Sequence, residues 1–519
     1  MSIGLWVKNL AAKLVRPVRQ SRQVPSPSRD AGTYRGAFRD WHPARTYSKG
    51  QREEERSLLS ARVEDLYANN GTARSAVNSL AVNIVGAGLT PQSIIPWREL
   101  GVDHDEAQDI QNRIEWLWSE WSSDAHYRGQ YDFSTMQSLA CRSLIRYGEF
   151  VQIPIVEKSP RSGCRFRLRL QDVSPVRLLT PYDRLLDPFF HDGVEVDIYG
   201  VPKAYWIASP DPVMGAIETT FLTSNDFVRY PAIGPMGRRG IFHVFHAEEE
   251  EQYRGVSALA PVVSFLRSFT DSIDNELLAE VMASSFPIFI GIQQGTGALP
   301  GVVQTGYEMG PDGAPEKVRY QEAKPAQILY GNPGEAPQVL ESSRPSQNFL
   351  NFCDLILHQI GACVGIPYEV LTKDYSKTTY SSARAALLEA WRVFDCYRRF
   401  FVAQYCQPVF AMVVEEAFLG GLLDLPVSVD DFYRQKRLWT NAHWIGPSRG
   451  SIDPLKEVQA DVAAINAGLK TRSDAIAERG GDFEDVTQRL ADENALRETL
   501  GVVTQETAPA AGENGEENV

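Results

Sequence analysis

The stretch Thr378–Phe394, TTYSSARAALLEAWRVF, decides how this chain is read. A run of hydroxyl residues gives way within a few positions to a long apolar helix. Ala383, Leu387, Ala390, Trp391 and Phe394 recur at spacings of three and four and predict one buried stripe, with Arg384 and Glu389 on the polar side. Ser381 or Ser382 is expected to cap the first turn. A catalytic serine would need a general base and an oxyanion hole, and no histidine lies in the loop or helix beside it. The residues favour capping and packing over nucleophilic chemistry.

Helical patterning extends to both sides. Downstream the helix reaches at least Cys406, and Pro408 is expected to kink or break it. Upstream lie another helix, SQNFLNFCDLILHQIGACVG, and the polar connection IPYEVLTKDYSKTTY. Further upstream, in YRGVSALAPVVSFLRSFTDSIDNELLAEVMASSF, Ser257 is a candidate cap and Pro261 falls in the first turn. Leu259, Val263, Leu266, Thr270, Ile273, Leu277 and Val281 repeat at spacings of four and three, predicting a packed helix of roughly 40 Å. Between Gly291 and Gly334, nine Gly and five Pro in 44 positions separate short β-like pieces, the pattern of a small β-rich insertion.

The N-terminal half opens with four amphipathic helices, EEERSLLSARVEDLYANNG, TARSAVNSLAVNIVG, DEAQDIQNRIEWLWSEWSSD and FSTMQSLACRSLIRYGE. Gly71 and Gly86 are expected stops and Thr72 an expected cap. After Glu149 the period shortens to two: FVQIPIV, RFRLRLQDV, VEVDIYGVPKAYWIAS and IFHVFHA read as strands. The C-terminal part reads as short helices, with Asp453 and Asp482 as caps and Gly468 and Gly480 as stops. The fold class is therefore α+β, mainly helical.

Charge is uneven. The net is −14, yet residues 1–50 carry ten Lys or Arg against two Asp, a net of +8, which leaves −22 on the rest. A body this acidic cannot grip nucleic acid through many phosphate contacts. Weak sliding contact is compatible with it. Six cysteines are too sparse for a disulfide framework, and none forms a CxxC pair. No apolar run approaches the roughly 20 residues needed to cross a bilayer, so a soluble chain with no membrane partner is expected. No Walker A loop, GxSxG elbow or HExxH helix is present. GTGALPG reads as a loop tip. His243 and His246 in HVFH would point to opposite faces of a strand and are read as neutral core or edge histidines. Neither a metal nor a cofactor is called for.

Four separated blocks carry a family resemblance: ARVEDLYANNGTARSAVNSLAVNIVGAGL, HVFHAEEEEQYRGVSALAPVV, VGIPYEVLTKDYSKTTYSSARAALLEAWRVF and WIGPSRGSIDPLKEVQADVAAINAGLKTRSDAIAERGGD. In order and spacing, from about Arg52 to Asp482, they resemble the lambda-type bacteriophage portal proteins. The resemblance implies a homo-oligomeric ring of twelve subunits at one capsid vertex of the virion, assembled in the host cytoplasm. Double-stranded DNA passes non-specifically through its channel during packaging and ejection. The implied partners are the terminase large subunit, head-completion or adaptor proteins, and the major capsid and scaffold proteins.

On this sequence the implied regions are a basic flexible arm (1–51), a wing (52–256), a first stem helix (257–285) and a β-rich clip (286–344). A second stem helix (345–364), a tunnel loop (365–380), a long helix returning to the wing (381–451), crown helices (452–502) and an acidic tail (503–519) follow. The resemblance makes Lys373, Asp374, Tyr375, Ser376, Lys377, Thr378 and Thr379 the DNA-facing loop, and Lys373 and Lys377 its only basic residues. Tyr380, Ser381, Ser382, Arg384 and Trp391 become the loop-to-helix anchor, and Leu259, Val263, Leu266, Ile273 and Leu277 the stem packing. A nucleic-acid-processing enzyme with an unrecognised site is the alternative class.

Overall fold

The computed structural model describes residue 40 and residues 49–161, 163–209, 222–234, 237–284, 288–290, 304–309, 315–320, 328–330, 347–376, 378–448 and 454–500. Apart from residues 40 and 49–51, the basic arm lies outside the described residues, as do the acidic tail, Asp453 and Lys377. The chain divides into a unit ending at Glu54 and a unit from Glu55 to Val519, and the core lies in the second.

Helices α1 (Lys49–Asn69), α2 (Gly71–Ile84), α3 (Trp97–Leu100), α4 (His104–Ser123) and α5 (Phe133–Tyr147) build the first half, with β1 (Thr90–Ser93) between α2 and α3. The expected stripe of α4 is buried at Ile110, Ile114, Leu117 and Trp121. Asp103 and Asp132 cap α4 and α5. The cap of α2 is Asn70, whose Oδ1 accepts from Ala73 N at 2.8 Å, rather than Thr72. Asparagine is at least as good a cap as threonine, and its position leaves Gly71 as the first helical residue instead of a stop.

Strands β2 (Glu149–Val156), β3 (Leu168–Val173), β4 (Phe190–His191), β5 (Val194–Val196), β6 (Pro202–Ala208), β7 (Phe227–Pro231) and β8 (Phe242–Phe245) follow. They form an antiparallel sheet in the order β3-β2-β8 and a second in the order β4-β5-β6-β7. The period of two in FVQIPIV divides two cores. Phe150 joins the helical core, while Val151 and Ile153 join a smaller one with Val194, Val196 and Ile207 of the second sheet.

The next helix, α6 (Val263–Ser284), starts later than Ser257. A 3₁₀ turn at Ala260–Val262 precedes it, and the buried Ser257 hydroxyl donates to Ile145 O while accepting from Leu259 N. The β-rich insertion holds β9 (Ile288–Ile290), β10 (Gln304–Met309), β11 (Pro315–Tyr320) and β12 (Ile328–Tyr330). Among them β10 and β11 pair antiparallel, and β12 and β9 parallel.

α7 (Gln347–Val364), α8 (Tyr368–Thr372) and α9 (Tyr380–Phe401) come next. Pro408 does not break the last. A π turn at Val402–Cys406 shifts the bonding register, so that Gln407 N reaches Val402 O, and the helix continues as α10 (Gln407–Leu419) over about 60 Å in all. Proline cannot donate to Gln404 O four residues back; the Arg239 guanidinium donates to that carbonyl instead, at 3.2 Å. α11 (Val429–Trp439) and β13 (Ala442–Ile445) return the chain to β1, with which β13 pairs antiparallel. α12 (Pro454–Asn466), α13 (Arg472–Ala477) and α14 (Phe483–Leu500) complete the described chain, and Gly468 and Gly480 end helical turns in left-handed conformation. No described helix is long and apolar enough to cross a membrane.

Candidate channel loop and its anchor

The connection between α7 and α9 is half helix and half exposed turn. α7 stops at Gly365, which takes φ +80°, and Ile366 turns inward, fully buried, its N–H donating to Gly361 O. Pro367 then starts α8, whose Val370 and Leu371 are buried against α2. Two α2 hydroxyls fasten the backbone there: Ser75 Oγ donates to Leu371 O at 2.6 Å and Ser79 Oγ contacts Val370 O at 3.4 Å. The first part of the expected loop is therefore bonded to the body of the subunit.

Lys373 ends α8 in left-handed conformation, φ 62°, and its Nζ donates to Ser79 Oγ at 2.7 Å. Partial burial lowers the pKa of this ammonium. Beyond it the turn is held by its own polar groups. Ser376 N donates to Asp374 Oδ1, Thr378 N to Tyr375 O, and Thr378 Oγ1 to Glu369 Oε1 at 2.8 Å. Tyr375, Ser376 and Thr379 are exposed.

Thr379, not Ser381 or Ser382, caps α9. Its ψ of 156° is extended and its Oγ1 accepts from Ser382 N, whereas Tyr380, Ser381 and Ser382 are already inside the helix. Four hydroxyl residues in five positions all fit the cap rule, and the backbone break at Thr379 selects one. Ser381 and Arg384 are exposed. Ala390, Trp391 and Phe394 are buried, with Trp391 edge-on to Phe394 at 5.7 Å between centroids.

The stripe expected from Leu259 to Val281, whose first member lies ahead of α6, divides in two. Leu259 and Leu266 are fully buried in the subunit core, and Val263 packs against it. Ile273 and Leu277 are 41% and 62% exposed, and Leu278 and Val281 accompany them. On α7, Leu350, Phe352 and Leu355 are exposed in the same way.

A buried ionic cluster that sequence reading missed ties down the segment that leads toward α6. Glu149 Oε2 accepts from Arg254 Nε at 2.9 Å, from Gly255 N at 2.8 Å, and lies 2.9 Å from His243 Nε2. Arg254 also donates to Leu178 O at 2.7 Å and pairs with Asp192, to which Arg56 bonds in turn. Burial alone would raise the Glu149 carboxyl, but Arg254 and His243 outweigh it and hold it far below the carboxylate range. Burial lowers the His243 pKa against the pull of Glu149. Sequence separations of 94 and 105 residues hide this cluster from any local pattern. His246 is exposed, its ring edge-on to Phe400. Among the described residues no group of three His, Cys, Asp or Glu is placed to hold a metal ion.

The chain is 26% identical over 507 residues to the portal protein of Escherichia phage N15, covering 93% of this chain and 92% of that protein. To portal protein B of Escherichia phage lambda it is 26% identical over 498 residues, covering 92% and 91%. A chain from the neck of an empty gene transfer agent particle aligns with a TM-score of 0.41 at 14% identity, covering 85% of this chain and 96% of that one. Residues 34–398 match the family described as phage portal protein, lambda family. The chain belongs to the lambda family of phage portal proteins.

Proposed function

We propose that copies of this chain close into a ring, twelve in the capsid, whose channel passes double-stranded DNA without chemistry of its own. The observation that carries the ring is the apolar half of α6 and α7 where Ile273, Leu277, Leu278, Leu350, Phe352 and Leu355 are exposed in the single subunit. So many large apolar side chains exposed on two neighbouring helices mark a surface that a partner covers. In the portal arrangement, residues 52–256 are the wing and α6 and α7 the stem. Residues 286–344 are the clip, through which the terminase large subunit and later the adaptor proteins dock, and 452–502 are the crown. Residues 374–379 line the channel, and the net charge of −22 beyond residue 50 suits a conduit along which phosphates slide without sticking. Assembly takes place in the host cytoplasm, with scaffold and major capsid proteins as further partners.

Replacing Ile273 and Leu277 with Asp tests this reading. Both side chains are exposed in the subunit, so the monomer should keep its melting temperature while native mass spectrometry shows loss of rings. Undiminished rings in this variant would refute it. Leu266 is unsuitable for the test because, fully buried in the subunit's own core, its replacement by Asp would unfold the chain.

A further inference from the structure

A cleft of about 580 Å³ opens between α1, α2, α5 and the β2-β3 pair, lined by Tyr67, Arg74, Asn78, Arg142, Arg146 and Tyr147 among others. Its three guanidiniums are ordered by the wall. Arg74 and Arg146 stand over the Tyr67 ring at 5.5 and 4.3 Å, and Arg142 Nε donates to Asn78 Oδ1 at 3.3 Å. Glu64 neutralises Arg146. Asp172 lies in the wall, engaged by Gln152 at 2.6 Å, and burial raises its pKa toward the neutral form. Arg74 and Arg142 form no ion pair among the described residues, which is notable in a chain of net charge −14.

The complementary feature leaves β8, at the opposite edge of the sheet from β3. Glu248, Glu249, Glu250 and Glu251 are four consecutive exposed carboxylates. Their turn is fixed: Gln252 Oε1 accepts from Glu248 N and Glu249 N, while Gln252 Nε2 donates to Arg254 O at 2.6 Å. Glu248, Glu250 and Glu251 form no ion pair among the described residues either.

We propose that the Glu248–Glu251 turn of one copy seats in the Arg74–Arg142–Arg146 cleft of the next, as a polar latch between neighbouring subunits. The inference rests on the ring reading and adds a second contact to it, away from the apolar helices. Two different patches of one chain that fit each other make a head-to-tail interface, and such interfaces generate rings when the rotation closes. Opposed charges across the interface fix register and reject wrong partners. The N-terminal fifty residues, at net +8, have the wrong sign to fill the cleft. A duplex DNA phosphate has the right sign and is the competing occupant.

Sedimentation of the full chain across a concentration series separates these cases, using Arg74→Glu/Arg142→Glu, Glu248→Lys/Glu250→Lys/Glu251→Lys, and all five changes together. Each partial variant should raise the concentration of half-assembly by at least about tenfold, with an unchanged monomer melting curve, and the five together should recover most of the loss. Wild-type assembly should weaken with salt. Unchanged assembly of either partial variant, or no recovery in the swap, would overturn the latch while leaving the ring intact. So would loss of duplex DNA binding in the arginine variant with normal rings. A wild-type chain that never forms rings would instead remove the ring reading, and the latch with it.

Discussion

Lys373 Nζ donates a 2.7 Å hydrogen bond to Ser79 Oγ, joining the loop before α9 to helix α2, 294 residues away in sequence. A lysine expected to reach freely toward DNA is thus bonded to its own subunit, and its left-handed backbone is held by the turn. Replacing it should test structure before function. Lys373→Ala should cost roughly 1 to 2 kcal/mol from the lost bond, since the strain of a Cβ at φ 62° is already present in the lysine and stays in the alanine. Lys373→Gly should lose less because it relieves that strain. Thermal unfolding of both variants orders them, and equal or reversed losses would contradict the geometry.

The cap assignment predicts an asymmetry among neighbouring hydroxyls. Thr379→Ala should destabilise by about 1 kcal/mol, whereas Ser381→Ala, at an exposed position within α9, should be close to neutral. Denaturant unfolding measures both. A larger loss at Ser381 would return the cap to the position expected from sequence.

Trp391→Ala empties a buried site against Phe394 and should cost about 3 to 5 kcal/mol, enough to reduce assembled particles sharply. Particle yield and denaturant midpoint report it together. Normal yield at normal stability would show that the α9 stripe is not part of the core.

The buried cluster predicts acid sensitivity. Glu149 is depressed in the fold, so the stability it contributes is present above its unfolded value of 4.5 and is lost as pH falls below that value toward its folded one. His243 is depressed as well, so protons taken up by the unfolded chain below 6.5 also favour unfolding. The melting temperature should fall as pH drops from about 7 to about 4. Glu149→Gln should start lower, by about 3 to 5 kcal/mol, because the buried Arg254 loses its main carboxylate partner and keeps only Asp192, and should show a shallower descent. Equal slopes for the two proteins would place the acid sensitivity elsewhere.

Residues that follow a local period were legible in advance. The stripes of α4 and α9 and the alternation in FVQIPIV follow from 3.6-residue and two-residue repeats that burial enforces. Local rules with several equivalent candidates were not decisive: Thr72 yielded to Asn70 as a cap, and Ser381 to Thr379. Pro408 carries the local signal of a kink or break, and the rescue of its orphaned acceptor comes from Arg239, far away in sequence. The Glu149–Arg254–His243 cluster and the arginine cleft were invisible for the same reason. At Gly148 and Gly255 the two chain segments nearly touch, since a Cβ on Gly148 would lie 2.1 Å from Val256 O, and only the fold reveals what those glycines permit. The reading of 365–380 as a channel loop rests on family resemblance alone, whereas the division of that segment into the docked α8 and an exposed turn comes from the hydrogen bonds to Ser75 and Ser79.

The most direct measurement is electron microscopy of the purified full-length chain, with native mass spectrometry on the same sample. The account predicts closed rings with a central opening and a mass that is a whole multiple of the 57.9 kDa subunit, twelve in the capsid-bound form. A monomer that persists across concentration and salt, with its apolar α6 and α7 faces still exposed, would contradict it.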